Sequence, residues 1–339
     1  MKRLLISGGA GFIGSNFICY MVGKYRDYQI INLDKLTYAA NLENLKSVEG
    51  NSNYRFVMGD ICDEELVDGL IEDCDVVINF AAETHVDRSI NNSTDFIRTN
   101  VHGTNVLLEA ARRHNTPLYI QISTDEVYGS RESGSFTEDD PLNPSNPYSA
   151  SKAAADLLTR AYQLTHDLPT IIIRSTNNMG PYQFPEKMIS LFITNTLENE
   201  PLPVYGDGKN VRDWLYVLDN CEAIDLILHR GRVGEIYNIG AGNEKTNLEV
   251  THFLLERLGK PKDLIKFVAD RPGHDRRYAL DWTRVRKLGW RPKHTFEEAI
   301  DKTIDWYQKN RTWWERIKES LVREDSGHWL KRDAWSRSL

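Results

Sequence analysis

Tyr148 and Lys152 stand four positions apart in the segment Tyr148-Ser-Ala-Ser-Lys152, directly after Pro147. On a helix that spacing puts both side chains on one face. An ammonium beside a phenol favours the phenolate and is expected to lower the tyrosine pKa. A phenolate can then take an alcohol proton while hydride leaves the carbon. The same spacing occurs at Tyr20/Lys24 and Tyr205/Lys209. The first pair falls in a helix after a glycine turn and reads as structural; the second falls in a Gly-rich loop without helical geometry. Only Tyr148 follows a unit carrying acid–base groups of its own, Ser123-Thr124-Asp125-Glu126-Val127-Tyr128-Gly129. Taken alone, that unit fits a polar turn whose carboxylates favour a helix N-terminus. Beside Tyr148 it offers more than hydride transfer requires. One carboxyl can donate a proton while its neighbour abstracts one, provided their environments push the pKa values apart.

A second group lies at the start of the chain. An apolar run over residues 3–7 leads into Gly8-Gly-Ala-Gly11-Phe-Ile-Gly14 and then a helical pattern. Glycines at this spacing allow a tight turn and let backbone N–H groups approach a pyrophosphate, with the positive end of the following helix aimed at it. Asp34 follows twenty residues after Gly14, at the end of the next apolar run. An acidic side chain there bonds ribose hydroxyls and repels a 2′-phosphate, which favours NAD over NADP; Lys35 next to it weakens the exclusion. Asp60-Ile61 and Ala81-Ala82 follow the third and fourth runs, the first suited to border an adenine and the second small enough for a cofactor to pass closely.

Positioning these groups calls for a layered α/β fold. Short Val/Ile-rich runs at 3–7, 29–33, 54–58, 76–80, 118–123 and 170–174 read as strands buried on both faces. Helical patterns at 12–24, 64–72, 95–114 and 148–167 lie between them. This alternation predicts a Rossmann-type, doubly wound parallel sheet, whose ligands sit at the carboxyl ends of the strands. The expected division is a cofactor domain over 1–175, with some later segments returning to it, a smaller C-terminal α/β substrate lobe over 176–315, and a tail over 316–339 of unknown role. In the second half, Pro and Gly punctuate helical patterns at 188–199, 218–229, 247–258 and 296–309. From Trp313 the chain is charged and Trp-rich, a candidate docking segment.

Composition narrows the class. Lys+Arg number 42 against 49 Asp+Glu, a net charge of −7, opposite in sign to most nucleic-acid-binding domains. Cys19, Cys62, Cys74 and Cys221 form no CxxC pair, so neither a zinc ribbon nor a dithiol site is expected, and no metal. No apolar run is long enough to span a bilayer, and residues 1–12 lack the features of a signal peptide. A cytoplasmic enzyme without nucleic-acid or membrane partners is the expectation.

The motifs SGGAGFIGS, ISTDEVYG and YSASK, with Asp34, resemble the extended short-chain dehydrogenase/reductases that act on nucleotide sugars. DKLTYAANLENL, DICD, AAETHVDRSI, NNMGPYQFPEKMI, PLPVYGDGKNVRDWLYV, YNIGAGNEKTNLEV and DRPGHDRRYALD narrow the resemblance to the dTDP-glucose 4,6-dehydratase family, from residue 1 to about 310. The Asp-Glu pair after Thr124 discriminates most, since related 4-epimerases and glucuronate decarboxylases carry other residues there. The resemblance implies NAD at Gly8, Gly11, Phe12, Ile13, Gly14, Asp34, Lys35, Thr37, Asp60, Ile61, Ala81, Ala82 and Thr99. It makes Tyr148 the oxidation base with Lys152 its partner, Asp125 the acid and Glu126 the base of dehydration, and Thr124 a sugar contact. The nucleotide sugar is implied at Thr84, Asn177, Glu186, Lys187, Pro203, Tyr205, Arg212, Asn247 and the 270–274 loop with Arg271 and His274. A homodimer pairing the helices near 95–114 and 148–167, and a role in deoxysugar pathways such as rhamnose, are further implications. A UDP-sugar 4,6-dehydratase, or an epimerase or decarboxylase on the same frame, is the alternative. Ser7, Thr84 and Met179 stand where Thr, Ser and an aromatic are usual.

Overall fold

The computed structural model describes residues 2–323. Seven parallel strands form the central sheet: β1 (Lys2–Ser7), β2 (Tyr28–Asp34), β3 (Tyr54–Met58), β4 (Val76–Asn79), β5 (Leu118–Thr124), β6 (Thr170–Ser175) and one later strand. The smaller strands of the second half are β7 (Asn177–Met179), β8 (Leu202–Tyr205), β9 (Val211–Tyr216), β10 (Ile236–Ile239), β11 (Glu244–Thr246) and β12 (Ile265–Val268). The central order is β10-β6-β5-β4-β1-β2-β3. The chain thus winds outward from β1 in one direction and from β4 in the other. A crevice opens where the two directions part, between the carboxyl ends of β1 and β4.

Period-two alternation explains how short strands hold two helical layers apart. Leu4, Ile6, Val76, Ile78, Ile120 and Ile122 pack on one face with Phe17, Ile18, Met21, Ile224 and Ile227. Leu5, Val77 and Tyr119 pack on the other with Val67, Ile71, Val106, Leu107 and Ala110. The first face is covered by the helices Phe12–Lys24 and Val217–Arg230, the second by Glu64–Ile71, Thr104–Arg113 and Pro147–His166. Between the sheet's apolar rows runs a polar line: Ser7 Oγ donates to Asn79 Oδ1 (2.7 Å), and Asn79 Nδ2 donates to Thr104 (3.2 Å) and Gln121 (3.1 Å).

Several segments differ from the sequence expectation. Residues 95–114 do not form one α-helix. A single turn, Thr94–Phe96, passes into a π-helix at Ile97–Gly103 before the α-helix Thr104–Arg113. β10 is itself a strand of the central sheet, the helix over 217–230 packs on it, and Val285 and Trp290 join the same core, so the sheet draws on chain well beyond residue 175. The remaining second half forms its own core around a β11-β9-β7 sheet and the parallel pair β8–β12. Met179 is fully buried in that core.

The tail expectation is corrected in part. Trp313 and Trp314 belong to a helix, Arg311–Arg323, whose Trp314, Ile317 and Leu321 are buried in the second core. Trp313 Nε1 donates to Asn44 Oδ1 at 3.0 Å, tying this helix to the first half. Trp329 and Trp335 lie outside the described residues.

Candidate active site

The crevice has a volume of about 350 Å³ and runs from the glycine turn to the Asp125–Glu126 turn. Gly8 follows β1 with φ +72°, and a Cβ there would stand 2.5 Å from Ala81 N. Only glycine lets the β1 and β4 ends come this close. At Gly14 a Cβ would stand 2.4 Å from the Gly8 carbonyl, so the helix Phe12–Lys24 could not start so near the turn. Gly11 precedes that helix without any side-chain cap, leaving its first N–H groups facing the crevice.

Asp34 closes this end. It is buried; its Oδ2 accepts from Ala10 N (2.9 Å) and its Oδ1 from Leu36 N (2.8 Å), so it braces the turn it borders. Each oxygen retains a lone pair for a ribose hydroxyl. Burial raises its pKa. Lys35 is turned to Asp60, 3.3 Å away. Phe12, Ile13, Thr37, Ile61, Ala82 and Thr99 complete the lining of this half. The cradle, the uncapped helix start and the acidic strand end fit a dinucleotide with free ribose hydroxyls.

The other half is built on β5, on a 3-10 turn over Asp125–Tyr128 and on the helix Pro147–His166. Thr124 starts the turn by accepting from Glu126 N at 3.3 Å. Tyr128 anchors it from beneath: fully buried, it stacks on Phe136, donates to Asn238 Oδ1 (2.9 Å) and accepts from Arg174 (2.8 Å). The helix Pro147–His166 is fixed at its start by Pro147 and a capping box of Asn146 and Ser149. The π-helix positions it from the side. Asn100 there exchanges two bonds with the Glu83 backbone (2.9 and 3.0 Å) and donates to Ser151 Oγ (2.8 Å), whose hydroxyl bonds the Tyr148 carbonyl (2.7 Å).

Thr124, Asp125, Glu126, Tyr148 and Lys152 all line the crevice. Asp125 is buried; Thr124 Oγ1 bonds its Oδ1 (3.1 Å), and Thr176 Oγ1 lies 3.0 Å from its Oδ2. Burial, reinforced by the Glu126 charge, pushes Asp125 up to about 7. It can therefore reach neutral pH as an acid while a second carboxyl stands beside it. Lys152 is buried, donates to the Ile122 carbonyl at 2.6 Å, and is pulled down by burial to about 8. The lowered tyrosine pKa expected from the Tyr148/Lys152 spacing is not found in the protein alone. Burial raises the phenol, and the Glu126 and Asp125 charges raise it further. Lys152 gives its nearest bond to a carbonyl instead.

The substrate candidates fall into two groups. Thr84, Asn177, Glu186 and Lys187 line the crevice. Lys187 Nζ donates to the Thr84 carbonyl (2.9 Å), and Glu186 accepts from Tyr38 OH (2.9 Å). Asn177 Oδ1 is buried without a partner, as is Glu186 Oε2 as a hydrogen-bond acceptor, though Arg88 lies 3.6 Å from the latter. Pro203, Tyr205, Arg212, Asn247, Arg271 and His274 lie outside that lining. Tyr205 and Arg271 both reach Asp87 (2.9 and 3.4 Å), and His274 pairs with Asp270 (2.6 Å). Arg212 stacks over Tyr278 at 4.2 Å, its charge acting on Asp125, while that of Arg271 acts on Glu126. Pro203 is in β8, and Asn247 opens a helix with its Oδ1 buried and unpartnered. Arg276 and Arg277 are taken by Asp207 and Glu244.

Sequence reasoning missed Tyr128, Thr176 and Tyr278, whose partners lie far off in the chain. It also missed Asn100, because the π-helix that carries it reads in sequence as ordinary helix. Lys24, Tyr20 and Tyr25 converge on the buried Asp225, 2.6, 3.0 and 3.0 Å from it, a structural role for the first Tyr/Lys pair. Among the described residues no group of three His, Cys, Asp or Glu could hold a metal ion, and no helix is long and apolar enough to cross a membrane.

Known proteins are similar to this chain over nearly its whole length. The family model for GDP-mannose 4,6 dehydratase matches residues 5–303. The chain is 55% identical to the low-salt glycan biosynthesis protein Agl12 of Haloferax volcanii, over 90% of this chain and 98% of that one. It is 50% identical to the dTDP-glucose 4,6-dehydratase of Streptomyces niveus, over 93% of this chain and 96% of the relative. The solved structure of DesIV, a dTDP-glucose 4,6-dehydratase from Streptomyces venezuelae with NAD bound, superposes with a TM-score of 0.91 at 48% identity, covering 93% of this chain and 99% of that one. On the family match and these identities, the chain belongs to the GDP-mannose 4,6 dehydratase family.

Proposed function

We propose that the chain is an NAD-dependent dTDP-glucose 4,6-dehydratase. The observation that carries this reading is Asp125: a buried carboxyl pushed up to about 7, adjacent to Glu126 and in one crevice with Tyr148. Oxidation alone needs Tyr148; loss of water needs an acid and a base besides. Relatives at about half identity carry the dehydratase name, and solved neighbours contain NAD.

The proposed division of labour follows the two halves. The central sheet holds the dinucleotide through Gly8, Gly11, Gly14 and Asp34. The second lobe holds the nucleotide sugar, with Arg212 and Arg271 suited to its phosphates. When bound, NAD accepts the C4 hydrogen with its electron pair and gives it back at C6. Tyr148 takes the proton of the C4 hydroxyl, beside the positive charge of Lys152, and Thr124 bonds the same sugar edge. The resulting ketone acidifies the C5 proton. Glu126 removes it, Asp125 protonates the C6 hydroxyl, and water departs. Glu126 then returns a proton to C5. The product is a 4-keto-6-deoxy sugar nucleotide of the kind that feeds deoxysugar pathways such as rhamnose.

Ile97, Leu157 and Leu164 are 51%, 58% and 65% exposed on the π-helix and the catalytic helix, an apolar strip suited to pairing with a second copy. We place the protein in the cytoplasm, as a homodimer without nucleic-acid or membrane partners. Mass spectrometry of products from dTDP-, UDP- and GDP-sugars tests the reaction. Loss of one water from dTDP-glucose is expected. Loss of carbon dioxide, or an unchanged mass with inverted C4, would assign a decarboxylase or an epimerase instead.

A further inference from the structure

Thr176 joins β6 to β7 at the floor of the crevice and is buried. Its hydroxyl oxygen lies 3.0 Å from Asp125 Oδ2 and 2.9 Å from the main-chain carbonyl of Asp213. A threonine hydroxyl has one hydrogen to give. The carbonyl oxygen can only accept. With Asp125 as a carboxylate, one of the two short O···O contacts has no hydrogen in it. With a proton on Asp125 Oδ2 both are filled: Asp125 donates to Thr176, and Thr176 donates to Asp213. The other carboxyl oxygen keeps Thr124 Oγ1 at 3.1 Å in either state. We propose that Thr176 is a positioning residue that holds Asp125 as the neutral acid, by committing its only hydrogen to the Asp213 carbonyl and presenting a lone pair to the carboxyl.

A hydroxyl beside a carboxylate ordinarily acts the other way, as a donor that favours the anion. Here the strand that carries Asp213 is held in place. The Asp213 side chain accepts from Ala241 N (2.8 Å), Gly242 N (3.1 Å) and Asn243 N (2.6 Å). Thr176 N is itself bound to the Ile239 carbonyl at 3.0 Å. The charged and titratable groups around Asp125 are Glu126 on its own turn, Arg212 on β9 and Tyr148 on the catalytic helix. Glu126 opposes the anion and Arg212 supports it. Lys187, Arg271 and Tyr278 bear on Glu126. Burial and the Glu126 charge already favour the neutral carboxyl and the Arg212 charge opposes it, so the orientation of one hydroxyl either adds to burial or works against it. The inference rests on Asp125 being the acid of the proposed reaction.

The test is the pH dependence of turnover in the NAD-loaded enzyme, whose alkaline limb reports loss of the Asp125 proton. Thr176→Val keeps the shape and removes the hydroxyl. Its alkaline limb is expected to move to lower pH by roughly one unit, and Thr176→Ser to restore it. A limb that moves to higher pH would mean that Thr176 donates to Asp125. A limb that stays in place while the rate falls evenly would mean a packing role only. Either result overturns the proposal. If Thr176→Val does not fold, neutron diffraction of the unsubstituted holoenzyme at about pH 6 decides. A deuteron on Asp125 Oδ2, with the Thr176 deuteron on the line to Asp213, is expected; a Thr176 deuteron pointing at Asp125 overturns it. Product mass from the unsubstituted enzyme tests the dehydratase reading separately, so that reading can fail while the neutron result stands.

Discussion

Adjacent carboxyls do different work when their surroundings differ. Asp125 is buried against Thr124 and Thr176, while Glu126 faces the crevice half-exposed, its Oε2 3.4 Å from Tyr278 OH. Glu126→Gln is expected to stop both exchange of the C5 proton with solvent and loss of water, since the base is gone. Asp125→Asn should let C5 exchange persist while water loss slows; NMR of substrate in deuterated buffer separates the two. Tyr148→Phe should lower turnover by about two to four orders of magnitude, the usual worth of a placed acid–base group. Asp125 also predicts a pH trend in stability. Its folded value of about 7 lies above the ordinary carboxyl value of about 4, so the folded state holds the proton more tightly. The stability this gives is complete below about pH 4 and is lost as pH rises to about 7. The Tm of Asp125→Asn relative to the unsubstituted protein should therefore climb through that window. Tyr148, Lys152 and the Asp-Glu pair are legible because each is a local pattern. Thr176, 51 residues from Asp125, and Tyr278, 152 from Glu126, are not, because only the folded chain makes them neighbours.

Elements place these residues to the extent that their backbones can approach. Gly14→Ala puts a Cβ 2.4 Å from the Gly8 carbonyl and should weaken NAD binding, read by calorimetry, more than it changes KM for the sugar. Asp34→Ala removes the proposed ribose partner and also frees Ala10 N and Leu36 N, so NAD affinity should fall. Adding Lys35→Arg should admit NADP through a new phosphate partner. The six leading strands are readable from sequence as short runs rich in apolar residues, with bounds within a residue or two of the structure, although β3, at the sheet edge, is not buried on both faces as expected and leaves Met58 71% exposed. β7, β11 and β12 have three or four residues apiece, too short for a run to mark them. The π-helix Ile97–Gly103 reads in sequence as ordinary helix, since its extra backbone turn leaves the residue types unchanged. Its value is the outward turn of Asn100 to the Glu83 backbone and Ser151.

At the scale of the molecule two cores face each other across the crevice, and the chain crosses between them repeatedly. The helix Arg311–Arg323 belongs to the second core, where the tryptophan content had suggested only a docking segment. Trp314 is fully buried and donates to the Tyr307 carbonyl at 2.9 Å. Trp314→Ala should cost about 3–5 kcal/mol of stability, the range for truncating a large buried aromatic, measured by denaturant unfolding. The central claim is that one bound cofactor carries hydrogen between two carbons of a single sugar while Asp125 and Glu126 remove water. Turnover of dTDP-glucose carrying deuterium at C4 tests it most directly. The account predicts a product lighter by one water with the deuterium at C6. Deuterium retained at C4, or lost to solvent, would contradict it.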